Sequence, residues 1–538
     1  MRLDVSVIQA GGPDLSWLDE SDEHTHRYTC GSAAIQLSKR QGYPKTFAKL
    51  AGSRLMVGYG SAKAVRRMTS LKALAIGSMA DSLSEEFMLA EYDLAAGSFK
   101  LLRDAYTTLP LFWADGGDRH VISSSFPGVL AGLPPTKLTL NHKNLTELLL
   151  LLDINQETLF YEVNLLTERS LLKIRGGRAK LELPPDRPAI QEDKTAPRHF
   201  NQALDNIVDQ YAGERISPKA VFELSGGIDS ATVPGYLADR RKIQPATLSM
   251  LFPGKFRTTQ RAKIKAWHER FGGINKSYDI QASDYPFSRF GSETPDLPPY
   301  QFQEIYTEIL DKTAALAAKQ AGADTVVTGM GGDELFENVD LAKDNHEGAA
   351  EIDRRQDSKI PAIYTPAFAD MLAQTLKHMD RRRTTPIPLA GRSALFGGYS
   401  RNNVYLERGL WPVSPLSDWR LFEFCQSLPI KHRANKNILR AYQQARRFPE
   451  DIYSAQVNEN FGDFFDSSIT SNLRPLLANL LHDSQLVTLG IIQPKTVLAR
   501  FDELTSNKKA ILPVNFFTLA TAELILSSVK KLGFKIKT

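Results

Sequence analysis

The sequence predicts an α/β chain built round a doubly wound parallel sheet with a helical C-terminus, and three features carry that expectation. An apolar run at 220–224 meets the glycine-rich turn Ser225-Gly226-Gly227-Ile228-Asp229-Ser230, and a helical stretch follows at 231–241. A β-rich run at 324–328 comes after a helical stretch at 306–321 and ends in a second such turn, Gly329-Met330-Gly331-Gly332-Asp333-Glu334. From 413 to 538, helical runs such as 517–532 outnumber strand signals. In an open parallel sheet the turns at the carboxyl ends of the strands line one crevice, so the two glycine-rich turns are expected to share a site.

The first turn has a chemistry of its own. A small turn between a strand and a helix lets backbone N–H groups close on an anion, and the helix N-terminus adds partial positive charge. Gly226 and Gly227 leave room for that approach, while Ser225 and Ser230 offer hydroxyl donors. Asp229 can hold a Mg²⁺ on the same phosphates, and Asp333 faces it across the site as the second metal carboxylate. The hexapeptide lacks the lysine that a Walker loop carries after its second glycine. A plain Ser/Gly turn before a capped helix is the bland reading, and a second carboxylate-bearing turn of the same kind argues against it.

Composition sets the bounds. A chain of 538 residues with 42% hydrophobic and 24% charged residues suits a soluble globular enzyme of two or more domains. The prolines and charges at 184–198 read as a linker between a first domain at 1–183 and a second at 199–538, which opens with helical spacing at 199–211. The apolar run at 148–152 is too short for a membrane span and reads as a buried helix against the N-terminal sheets. The charged stretch 337–359 reads as a loop able to close over the crevice. Two cysteines, Cys30 and Cys425, and the absence of a signal-like start predict a cytoplasmic protein. A net charge of +5 gives no reason to expect nucleic acid. Basic clusters at 381–383 and 530–537 read as solvated surface, or as docking sites for an acidic peptide or carrier.

The first turn resembles the pyrophosphate loop of the ATP pyrophosphatase superfamily, and the two turns together resemble the class B asparagine synthetase family. Further segments of this sequence look like that family's motifs in the right order: Pro415-Leu416-Ser417-Asp418, Leu428-Pro429, Lys436-Asn437-Ile438-Leu439-Arg440 and Phe448-Pro449-Glu450-Asp451-Ile452. Arg103-Asp104 with Leu109-Pro110-Leu111-Phe112, then Val121-Ile122-Ser123 and Thr158-Leu159-Phe160, look like its N-terminal half. The resemblance implies an N-terminal Ntn-hydrolase-like α/β/β/α sandwich of two antiparallel sheets, and ATP as cofactor with Mg²⁺. Glutamine-using members carry Cys at position 2, where this chain has Arg2. A guanidinium is no nucleophile, and the internal Cys30 lacks a free α-amino group to act as base, so the first domain reads as a glutaminase relic.

The family reaction implies an AMP-forming amide ligase: a carboxylate attacks the α-phosphorus of ATP, and an amine then displaces AMP. Carried over, the resemblance gives Asp229, Asp333, Lys436 and Asn458 as catalytic candidates. It gives Leu224, Ser225, Gly226, Gly227, Asp229, Ser230, Ser249, Met250, Gly329, Met330 and Gly331 as nucleotide contacts, with adenine against the backbone at 224 and 247–251. Two departures matter. Met330 stands where relatives carry Glu, Tyr or His, which argues against aspartate as substrate and for a more apolar pocket. The family lysine after the Leu-Pro-x-x-Ile turn is missing at 453–461, where Asn458 is the nearest polar substitute. These features point to ring closure resembling that of lasso-peptide cyclases, on a peptide substrate brought by a delivering partner protein. The alternatives are a β-lactam synthetase-like or intermolecular amide synthetase acting on a small molecule, and a nucleotide-binding scaffold.

Overall fold

The computed structural model describes residues 3–8, 25–30, 33–38, 43–70, 85–106, 108–134, 137–150, 158–183, 190–288, 306–336, 362–378, 392–454, 472–506 and 515–537. The first part of the chain is rich in strands: β1 (Leu3–Ile8), β2 (Thr25–Cys30), β3 (Ala33–Ser38), β4 (Lys45–Ala51), β5 (Arg54–Gly60), β6 (Phe87–Asp93), β7 (Ser98–Arg103), β8 (Phe112–Asp115), β9 (Arg119–Ser123), β10 (Lys137–Thr139), β11 (Val163–Leu165), β12 (Leu171–Arg175) and β13 (Arg178–Glu182). Two antiparallel sheets result, ordered β11-β8-β9-β1-β3-β2 and β13-β12-β7-β6-β5-β4.

Period-two alternation sends neighbouring residues to opposite faces, and here both faces are apolar. Leu3, Ile35 and Ile122 of one sheet share a core with Val57, Met88, Ala90 and Leu101 of the other, so the sheets face each other. The alternate residues Met56, Leu89 and Leu102 pack under Ala64 and Met68 of the helix Ala62–Ser70. On the outer face of the other sheet, Ala114 and Val121 join Phe126 and Val129 of the helix Phe126–Ala131. Helix, sheet, sheet, helix is the layering that the resemblance implies.

The second part is a parallel sheet of β14 (Ala220–Glu223), β15 (Ala246–Leu251), β16 (Ile274–Asp279), β17 (Thr325–Val327) and β18 (Trp411–Val413), in the order β16-β15-β14-β17-β18. The first strand is central, later strands add on one side and then on the other, and the direction changes between β14 and β17. Val221, Leu248 and Val326 pack on the helix Thr307–Gln320 and on Val404 and Tyr405 of the helix Arg392–Glu407. Phe222 and Val327 share a core with Val233 and Leu237 of the helix Ile228–Arg241, and Leu224 and Leu251 share one with Trp267 of the helix Lys255–Phe271. Both faces are therefore covered, as a parallel sheet requires.

After Val413 the described chain is helical, apart from one strand that the sequence reading missed. β19 (Lys535–Lys537) pairs in parallel with β10, so part of the basic 530–537 cluster is backbone-bonded to the N-terminal part. The apolar run near 148 lies in the helix His142–Leu150, which packs mainly against the C-terminal helix Asn515–Lys531; Thr518 Oγ1 donates to Leu149 O at 3.1 Å. The two parts are also joined by a buried polar knot. Glu86 Oε2 accepts from Tyr43 Oη (2.6 Å), Arg215 Nη2 (2.8 Å) and Trp411 Nε1 (3.3 Å). The Arg215 guanidinium lies 4.2 Å from the Tyr106 ring centre and 4.4 Å from that of Tyr211. Among the described residues no helix is long and apolar enough to cross a membrane. Arg2, Asn458, the stretch 337–359 and the basic cluster 381–383 lie outside the described residues.

Candidate active site

The site sits at the carboxyl ends of β14 and β17, the two strands that flank the change of winding direction. Leu224 ends the strand side of the first turn, with its N–H bonded to Leu248 O at 2.9 Å. Gly226 takes φ +85°, which only glycine adopts freely, and a Cβ there would lie 3.1 Å from Lys263 Cβ. Gly227 is the N-cap of the helix Ile228–Arg241 and brings no side-chain cap, so the helix start depends on other partners. The loop serines supply part of this. Ser225 Oγ accepts from Gly227 N at 3.2 Å, Ser230 Oγ accepts from Ser225 N at 3.1 Å, and the two hydroxyls are 3.0 Å apart. Two serine hydroxyls and a helix N-terminus thus gather where an anion would sit.

The second turn touches the first directly. A Cβ on Gly329 would stand 2.8 Å from Ser230 N and Cα, and one on Gly332 would stand 2.3 Å from Asp229 Cγ. Gly331, at φ +99°, faces Leu416 and Ser417, with a Cβ position 2.5 Å from Ser417 N. Met330 is fixed through its backbone: its N–H donates to Thr328 Oγ1 at 3.2 Å, and Ser417 Oγ donates to its carbonyl at 2.8 Å. Polar and apolar groups both surround it, Pro412 and Val413 among the latter. Met330 borders a cavity of about 50 Å³ whose wall also includes Glu86, Tyr106, Arg215, Asn402 and Ser417.

The central arrangement is ionic. Lys436 Nζ lies 2.5 Å from Asp229 Oδ2 and 2.5 Å from Asp333 Oδ1, joining residues 207 and 103 positions away. The side chains of Lys436 and Asp229 are 14% and 21% exposed, while Asp333 is 66% exposed, so the ammonium is inside and one carboxylate opens to solvent. Burial pushes the Asp229 carboxyl up to about 6 against the pull of Lys436, and the nearby Asp333 charge adds to the rise. Burial opposes the Lys436 charge, yet the two aspartates hold its ammonium above the ordinary lysine value. Asp229 Oδ1 is buried without a hydrogen-bond partner. An orphaned carboxylate oxygen beside a second aspartate fits a Mg²⁺ that takes one or two protein ligands and the rest from phosphates. Among the described residues no cluster of three or more His, Cys, Asp or Glu could hold a metal by itself.

Of the nucleotide candidates, Met250 has its carbonyl engaged, accepting from Gln260 Nε2 at 3.3 Å. Ser249 is fully buried and its hydroxyl donates to Asn275 Oδ1 at 3.0 Å, which leaves only its backbone for a ligand. Gln260 escaped the sequence reading. It is fully buried, accepts from Phe252 N at 3.0 Å and donates to Ser225 O at 3.4 Å, tying the β15 end to the first turn. A lone glutamine in a charged amphipathic helix carries no local signal of that role. Asp418, in the Pro415–Asp418 segment, is buried. It caps the helix Trp419–Gln426 through Arg420 N, pairs with Arg420 Nη2 at 2.8 Å and accepts from Tyr106 Oη at 3.0 Å. It holds the wall rather than the phosphate end.

A family model described as asparagine synthase matches residues 203–408 and 399–527. The chain belongs to the asparagine synthase family. It is an ATP-dependent, amide-forming ligase type by that membership. No curated protein matches the chain. Solved structures similar to it include the U34-tRNA thiolase NcsA from Methanococcus maripaludis with its 4Fe-4S cluster, at 16% identity, covering 41% of this chain and 83% of that one, with a TM-score of 0.20. The allosteric regulatory enzyme of purine biosynthesis is similar at 9% identity, covering 61% and 83%, with a TM-score of 0.21. Glutamine phosphoribosylpyrophosphate amidotransferase from B. subtilis, complexed with ADP and GMP, is similar at 12% identity, covering 56% and 77%, with a TM-score of 0.19.

Proposed function

We propose that this asparagine synthase family member is an AMP-forming ligase that activates a carboxylate with ATP and joins it to an amine it does not draw from glutamine. The observation that carries the reading is the Asp229–Lys436–Asp333 arrangement across the two contacting turns. Phosphoryl-site catalysis is mostly positioning and charge neutralisation. Ser225, Ser230, the backbone at Gly226 and Gly227 and the start of the helix Ile228–Arg241 would bind the β and γ phosphates. Lys436 would neutralise charge as the bond between the α-phosphorus and its bridging oxygen breaks. Asp229 and Asp333 would hold Mg²⁺, which supplies further charge neutralisation on the phosphates.

In the first step a substrate carboxylate oxygen bonds to the α-phosphorus and pyrophosphate leaves. In the second the amine bonds to the acyl carbon, AMP leaves, and the amine proton goes to solvent or to a base. Arg2 in place of a nucleophilic Cys supports an amine source other than glutamine. Met330, which cannot take a proton, supports a substrate unlike aspartate. We extend the reading to macrolactam closure of a peptide brought by a partner protein. The test uses the purified chain, Mg²⁺, ATP and peptides bearing a free α-amine and an acidic side chain. AMP, pyrophosphate and a peptide lighter by one water are expected; release of ADP and phosphate would sink the proposal.

A further inference from the structure

Lys436 reaches the two aspartates from an unusual backbone. Asn435 and Lys436 both lie in the left-handed region, at φ 53° and 58°, with no glycine in either position. Two consecutive non-glycine residues in this region are strained, and such strain persists only where surrounding contacts over-determine it. The Lys436 residue is also the N-cap of the helix Asn437–Ala445, so the turn decides the direction in which its side chain leaves the helix.

Two side chains of that helix brace the turn. Asn437 Nδ2 donates to Lys431 O at 3.1 Å. Arg440, one turn in, donates from Nε to Asn435 O at 2.7 Å and from Nη1 to Tyr453 O. The planar guanidinium fork therefore joins the strained carbonyl to the end of the helix Glu450–Tyr453, a geometry that a lysine ammonium cannot reproduce at both carbonyls.

We infer that Arg440 is a positioning residue that holds the left-handed Asn435–Lys436 turn, and through it keeps the Lys436 ammonium between Asp229 and Asp333. The functional part of this rests on the phosphate role proposed above for Lys436; the structural part does not. Asn435 gives a way to separate positioning from bulk stability, since glycine adopts this φ without strain. An Asn435→Gly change should let the turn keep its shape without the clamp.

The test measures binding of Mg²⁺-pyrophosphate by calorimetry, with crystal structures of the same proteins. Arg440→Ala should weaken binding about tenfold, with a thermal midpoint little changed, and its crystal structure should show Lys436 away from at least one aspartate. Adding Asn435→Gly should recover at least about threefold of the loss. Arg440→Lys, the fallback if Arg440→Ala does not fold, should fall between. Lys436 still bridging both aspartates in Arg440→Ala, or Arg440→Lys if that is the variant that folds, overturns the inference. So does a binding loss that Asn435→Gly leaves untouched. Wild-type protein that fails to bind Mg²⁺-pyrophosphate would instead overturn the phosphate reading, and the crystal structures would still decide whether Arg440 holds the turn.

Discussion

Replacing Gly332 by alanine should disable the nucleotide site without unfolding the protein. The new Cβ would stand 2.3 Å from Asp229 Cγ, 2.4 Å from Oδ1 and 2.6 Å from Cβ. Because the Asp229 Cβ is among the atoms struck, rotating the carboxylate does not clear the overlap; the first turn of the helix Ile228–Arg241 has to retreat by about an ångström to reach ordinary contact. Lys436 Nζ, now 2.5 Å from Asp229 Oδ2, would lose that pairing. At an effective dielectric of about 20, moving two unit charges apart by an extra ångström from this distance forfeits roughly 2 kcal/mol, or about thirtyfold in an equilibrium or rate. The assay is calorimetric binding of Mg²⁺-ATP with a thermal melt of the same sample. Gly213→Ala is the control, since nothing lies within 4 Å of a Cβ there and its φ is not positive. Wild-type affinity in Gly332→Ala would refute the contact between the two turns on which the site depends.

Gly213→Ala itself should raise stability by about 0.5–1 kcal/mol, because it replaces glycine inside the helix Phe200–Glu214; the melting midpoint reads it. The Asp229 carboxyl, raised by burial to about 6 from 3.8, binds its proton more tightly in the folded chain, so its contribution is complete below pH 3.8 and is lost as pH rises through about 6. Ionising it costs on the order of 3 kcal/mol above that window, so ligand-free denaturant melts of wild type should lose a pH-dependent component between these limits that Asp229→Asn lacks. Affinity for Mg²⁺-ATP should run the other way, rising in wild type as Asp229 ionises near pH 6, as titration calorimetry at several pH values would record. Arg215→Ala should destabilise by about 3–5 kcal/mol in urea melts, because it leaves the Glu86 carboxylate buried beside Tyr43 and Trp411 without its cation.

Much of the site was legible because its signals are local. The Ser225–Ser230 turn and the Gly329–Asp333 turn each follow a short β-rich run, and both lie at the carboxyl ends of β14 and β17. Lys436 was legible only through family resemblance, and its bridge to Asp229 and Asp333 was not, since nothing near position 436 encodes a partner 207 residues away. The full setting of Met330 was not legible: an apolar side chain says nothing about Glu86 and Arg215 arriving from other elements to share its cavity.

The sequence by itself determined what a short window can: strand, turn and helix in order, glycine where the backbone must turn left-handed at Gly226 and Gly331, and carboxylates beside those turns. Only the tertiary structure decided the strand order β16-β15-β14-β17-β18, the parallel pairing of β10 with β19, and the Glu86–Arg215 knot. It also decided that Gly332 lies against Asp229 and that Lys436 stands between two aspartates. The physical reason is that propensity and hydrophobic period act over a few residues, whereas these contacts follow from how covered faces pack once distant segments are brought together.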